Sequence, residues 1–118
     1  MANKIWIDGS GWNGRVSKYC IVFNDGRIIK RELEEERTNN EMEYMALLKA
    51  LELCEEESII YSDSRLVVEQ VAGRWKIRKE HLLRYALKAR NLIREKRVEL
   101  KWIPREENLA GNLLEQKK

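Results

Sequence analysis

The chain has 118 residues, 43% of them hydrophobic, with a net charge of +3 and two cysteines, which suits one domain with one core and excludes a disulfide-stapled scaffold. No run approaches the roughly 18 apolar residues of a membrane span. Cys20 and Cys54 lack the paired spacing of a zinc site and read as buried small apolar residues.

In chain order, Lys4 to Ser10 reads as a strand around Ile5, Trp6 and Ile7, broken by Asp8-Gly9-Ser10. Ser17 to Asn24 and Arg27 to Leu33 are two further strands meeting at Asp25-Gly26, a hairpin signal, so the first three strands predict an antiparallel meander. Glu41 to Glu56 places Tyr44, Leu47, Leu48, Leu51 and Cys54 at helical spacing, with capping side chains in Thr38-Asn39-Asn40.

Ser58 to Tyr61 is a short strand running into Ser62-Asp63-Ser64. A short helix through Leu66, Val67, Gln70 and Val71 follows and stops near Gly73. Lys79 to Lys96 is amphipathic, with Leu82, Leu83, Ala86, Ala89, Leu92 and Ile93 on one face. Arg97 to Ile103 alternates Val98, Leu100 and Trp102 against charged residues as a last strand ended by Pro104, and Glu107 to Gln116 predicts a final helix. The order implies an α/β domain over residues 1–118: a mixed five-stranded sheet, three antiparallel strands then two parallel additions, flanked by helices.

Charge is unevenly spread. Glu32 to Glu57 holds ten acids against Arg37 and Lys49, while Arg74 to Arg105 holds twelve Lys or Arg against Glu80, Glu95 and Glu99. The second half is therefore fit for phosphates, although a solvated helix face accounts for part of the excess. The chain's first residues show no basic segment followed by an apolar run and cleavage site, so a cytoplasmic location is expected.

Asp8, Glu43 and Asp63 sit at strand ends or in an early helix turn, where an α/β sheet gathers functional groups. Brought together, such carboxylates repel unless a cation lies between them, and a hard divalent ion prefers oxygen ligands. Two ions can activate a water and stabilise the leaving oxygen of a phosphodiester. Each acid also has an ordinary reading, Asp before Gly as a turn residue and Glu in a first turn as a complement to the helix dipole. Spacing alone leaves both open.

Ile7-Asp8-Gly9-Ser10, Thr38-Asn39-Asn40-Glu41-Met42-Glu43-Tyr44-Met45-Ala46 and Tyr61-Ser62-Asp63-Ser64 together resemble the type 1 ribonuclease H family. The resemblance covers nearly the whole chain and matches its element order. It implies an endonuclease that cuts the RNA strand of RNA–DNA hybrids, leaving 5′-phosphates, with two Mg²⁺ or Mn²⁺ ions and as a monomer. Asp8 would bridge both ions, and Glu43 and Asp63 would hold the one on the leaving-group side, with Glu43 near the ribose 2′-hydroxyl that separates RNA from DNA. Gly9, Ser10, Asn39, Asn40 and Arg65 are the implied substrate contacts near the acids, with Trp75 and Lys76 gripping the DNA backbone beside Arg78 and Lys79.

Two departures stand out. The family's fourth acid usually follows an Asn by four residues, and counting from Asn108 puts Asn112 there, with Gly111 before it. An amide oxygen can still ligate a hard cation but brings no charge, so weaker metal binding or a preference for Mn²⁺ is expected. No His precedes the last helix. His81 lies in the amphipathic helix, and Ile103-Pro104-Arg105-Glu106-Glu107-Asn108 resembles an Arg-containing loop of archaeal-type members, making Arg105 a candidate for phosphate handling. The basic handle of some relatives is missing. The rival readings are a non-catalytic hybrid-binding module and another nuclease of the same fold. Three retained acids argue against the first, and Ser10, where exonucleases place a second acid, argues against the second.

Overall fold

A computed structural model describes residues 3–114. Strand β1 (Lys4–Ser10) lies at the centre of the sheet, because its alternating side chains find apolar partners on both faces. It pairs antiparallel with β2 (Ser17–Phe23), which pairs antiparallel with β3 (Ile28–Leu33). On its other side it pairs parallel with β4 (Ile59–Ser62), which pairs parallel with β5 (Glu99–Trp102). The order β3-β2-β1-β4-β5 is the mixed five-stranded arrangement read from the sequence.

The register separates the two faces. Ile5 opposes Phe23 and Ile7 opposes Ile21, and this row packs with Ile60 beneath Met42, Leu47 and Leu51 of α1 (Asn39–Leu53) and Leu82, Ala86 and Ala89 of α3 (Glu80–Lys96). Trp6 opposes Val22 and Asp8 opposes Cys20 on the other face, which α4 (Leu109–Leu114) covers with Ala110 and Leu114. A short helix α2 (Arg65–Ala72) joins β4 to the segment before α3 and ends at Gly73, whose φ of 84° favours glycine. Cys20 and Cys54 are buried free thiols, as expected from their spacing, and burial pushes the Cys20 thiol up to about 11.

Some boundaries differ from the sequence reading, each for a local reason. Thr38 caps α1: its hydroxyl accepts from Glu41 N, and the Glu41 carboxylate accepts from Thr38 N, so the helix starts at Asn39 rather than Glu41. It stops at Leu53, short of Glu56, because Glu55, Glu56 and Glu57 would crowd the negative end of the helix dipole. Lys96 Nζ instead donates to the carbonyls of Leu51, Glu52 and Cys54. Strand β5 begins only at Glu99, since Arg97 closes α3 in a left-handed conformation (φ 56°). Leu83, placed on the buried face of α3 by periodicity, is 37% exposed. The expected last helix is divided: residues Arg105–Glu107 form a 3-10 turn, Asn108 is extended, and α4 begins at Leu109. The remainder of the expected helix, to Gln116, lies outside the described residues.

Candidate active site

Three elements end at one place. Asp8 lies near the end of β1, Asp63 follows β4, and Glu43 sits in the second turn of α1. The parallel pairing of β1 with β4 brings the first two side by side. Glu43 arrives from the helix because Gly9 has no side chain: a Cβ there would fall 2.4 Å from the carbonyl carbon of Met42 and 2.5 Å from the amide of Glu43. The helix backbone therefore rests directly on β1. One carboxylate oxygen from each of Asp8, Glu43 and Asp63 lies within 4.8 Å of the others.

The electrostatics of this trio are unfavourable without a counter-charge. Glu43 is buried, and its carboxyl is held well above the usual carboxylate range, first by burial and then by the charges of Asp8 and Asp63. Glu43 Oε1 is a buried oxygen without a hydrogen-bond partner among the described residues. An orphaned oxygen facing two further carboxylates is a donor set suited to a hard divalent cation, so the residues present fit the metal that the motif resemblance implies.

The acids line an open cavity of about 180 Å³, together with Gly9, Ser10, Asn39, Arg105 and Leu114. Asn39 Oδ1 accepts from Gly11 N at 2.6 Å and so ties the start of α1 to the loop after β1. Asn40, Arg65, Trp75, Lys76 and Asn112, also singled out in the sequence, do not line this cavity. Arg65 is exposed on the first turn of α2, two residues from Asp63, and Trp75 and Lys76 are exposed beyond α2. Asn112 is exposed on α4, its backbone N–H donating to Asn108 O. Its neighbour Gly111 is buried against the acids: a Cβ there would lie 3.4 Å from Asp8 Oδ2 and 3.5 Å from Asp63 Oδ2.

Two residues at the site escaped the sequence reading. Asn108, used there only to count to Asn112, is fully buried, and its Nδ2 donates both to Ile7 O (2.9 Å) and to Asp63 Oδ2 (3.1 Å). Because α4 starts at Leu109 rather than Glu107, Asn108 stands just before the helix, and its Oδ1 accepts from Ala110 N; nothing local in the sequence announced the bond to Asp63. Trp102, read as an inward residue of the last strand, is 40% exposed and donates from Nε1 to Asp63 O.

The family model for RNase H matches residues 2–114. The bifunctional protein Rv2228c of Mycobacterium tuberculosis is 38% identical over 82 residues, which is 65% of this chain and 22% of that protein. The uncharacterized protein Mb2253c of Mycobacterium bovis is similar to the same extent. The chain thus spans about a fifth of the length of these curated relatives. Among solved structures, the N-terminal RNase H domain of Rv2228c, fused to maltose binding protein, superposes with a TM-score of 0.81 at 30% identity, over 96% of this chain and 89% of that one. LC11-RNase H1 in complex with RNA/DNA hybrid gives 0.78 at 27% identity, over 95% and 92%. RNase H1 from the archaeon Halobacterium salinarum gives 0.77 at 26%, over 97% and 94%.

Proposed function

The chain belongs to the RNase H family, and we propose that it is an endoribonuclease that hydrolyses the RNA strand of RNA–DNA hybrids by two-metal-ion chemistry. The observation that carries this reading is the convergence of Asp8, Glu43 and Asp63 within 4.8 Å, with Glu43 Oε1 buried and unpartnered. A trio with a purely structural role would be expected to satisfy that oxygen with a hydrogen-bond donor.

Asp8, Glu43 and Asp63 would hold the ions, with the amide oxygen of Asn112 as a fourth donor on α4. When bound, Mg²⁺ or Mn²⁺ supplies an activated water and charge stabilisation at the leaving oxygen. The chain's own residues do the rest. Asn108 fixes the Asp63 carboxylate, Asn39 and Ser10 offer polar groups along the cavity edge, and Arg105 brings a positive charge to a site otherwise dominated by acids. Exposed Trp75 and Lys76 lie beyond α2, and they are the proposed contacts to the DNA strand. A monomer acting in the cytoplasm completes the proposal. No helix among the described residues is long and apolar enough to cross a membrane.

The test is cleavage of an end-labelled RNA–DNA hybrid, beside duplex DNA, duplex RNA and single-stranded RNA, in Mg²⁺, Mn²⁺ or EDTA. Metal-dependent cutting confined to the RNA strand of the hybrid, with 5′-phosphate products, is the expected result. Hybrid binding without cutting in either metal would instead make the chain a binding module, with the amide at Asn112 as the first suspect.

A further inference from the structure

The face of the Trp102 indole is the least explained feature beside the acids. Trp102 stands at the end of β5, paired in register with Ser62. One edge of its ring is fixed, because Nε1 donates to the Asp63 carbonyl at 3.2 Å, and the next residue's amide, Ile103 N, donates to Ser62 O at 2.9 Å. Its face carries Arg65, whose guanidinium carbon lies 4.3 Å from the ring centroid. The other constraint on Arg65 is Glu69, one helical turn on, at 3.6 Å, and the second oxygen of Glu69 is bonded to Arg74. The Arg65 side chain nevertheless remains 54% exposed.

An exposed arginine on a short helix normally samples many rotamers, and ordering it on binding costs affinity. Here an aromatic face and a carboxylate flank the guanidinium, which stays half exposed on the first turn of α2, two residues after Asp63. We propose that Trp102 is a positioning residue: its ring pre-orders Arg65 as a contact to the hybrid next to the acids, so that the affinity Arg65 contributes depends on the Trp102 face. This rests on the RNase H reading and deepens it, since neither the motifs nor the acids assign a role to Trp102.

The test is a double-mutant cycle for binding of a fluorescently labelled RNA–DNA hybrid, measured by anisotropy in Mg²⁺ with Asp8→Asn as the parent, so that turnover does not consume the probe. Arg65→Ala and Trp102→Leu should each weaken binding roughly fivefold, and the double variant no more than either alone, because each removes the same contact. Trp102→Phe retains a ring face and loses the indole N–H, and it should bind within about twofold of the parent. In the chain with Asp8 intact, Trp102→Leu should raise KM more than it lowers kcat when compared with Trp102→Phe, which loses the same N–H.

Additive losses in the cycle, or a Trp102→Phe variant as weak as Trp102→Leu, would overturn the role of the ring face. Absence of hybrid binding by the Asp8→Asn parent, with no cleavage by the native chain, would instead remove the RNase H reading on which the inference stands.

Discussion

Asn108 holds Asp63 from the opposite side of the sheet end: its Nδ2 lies 3.1 Å from Asp63 Oδ2 while also donating to Ile7 O, and its Oδ1 accepts from Ala110 N. One fully buried amide thereby joins β1, the acid after β4 and the start of α4. Replacing it with Ala leaves a strand carbonyl and a helix amide without partners, at a cost of about 2–3 kcal/mol. It also frees Asp63 to rotate. Asn108→Ala should therefore lower the thermal midpoint and raise the Mg²⁺ concentration needed for half-maximal cleavage. A metal titration unchanged from native would leave Asn108 with a purely structural role.

Gly9 decides how closely α1 approaches β1. A methyl group there meets backbone rather than a flexible side chain, at 2.4 to 2.6 Å from Met42 and Glu43, so the helix itself must move away. A shift of this kind separates Glu43 from Asp8 and Asp63. The expected outcome for Gly9→Ala is a loss of about 100-fold in kcat, in line with a misplacement near 1 Å. The accompanying overpacking should cost about 1–3 kcal/mol, readable in a denaturant titration.

Glu43 gives a pH dependence with a definite sign. Burial and the two neighbouring acids raise its carboxyl above the ordinary value in the folded chain, so the folded state binds more protons than the unfolded one. Stability of the metal-free protein should then fall as pH rises through the usual glutamate range toward the elevated folded value. Glu43→Gln removes the buried charge. Its metal-free form should be flatter with pH and, above that window, more stable than native by about 1 kcal/mol, while cleavage is lost. Thermal midpoints in EDTA across a pH series distinguish this from a Glu43 that stabilises the fold.

The order of strands and helices was legible because strand alternation and the helical period of α1 and α3 are local patterns, and the acids were legible because each sits in a short motif at an element end. What connects the elements was not. Trp102 alternates correctly for an inward residue, yet β5 is an edge strand, and its last residue turns toward Asp63 and Arg65. Asn108 served in the sequence only to count to Asn112; its capping bond to Ala110 follows from where α4 starts, and its bond to Asp63 depends on a contact 45 residues away in sequence. Helix ends shifted for a similar reason: Lys96, from the end of α3, supplies the cap that terminates α1.

Asn112 carries the last prediction. It is exposed on α4 directly after Gly111, which is buried within van der Waals reach of the Asp8 and Asp63 carboxylates. An amide oxygen approaching a metal from this helix contributes a dipole rather than a charge, and a hard divalent ion gains more from a carboxylate. Asn112→Asp should therefore lower the Mg²⁺ needed for half-maximal cleavage, and narrow any advantage of Mn²⁺ over Mg²⁺. The same substitution adds a negative charge to the helix that packs against the acidic cluster, so without metal it should lower the thermal midpoint and with saturating metal restore it. Identical metal titrations for native and Asn112→Asp would remove Asn112 from the ligand set and leave the three acids as the metal-binding side chains among the described residues.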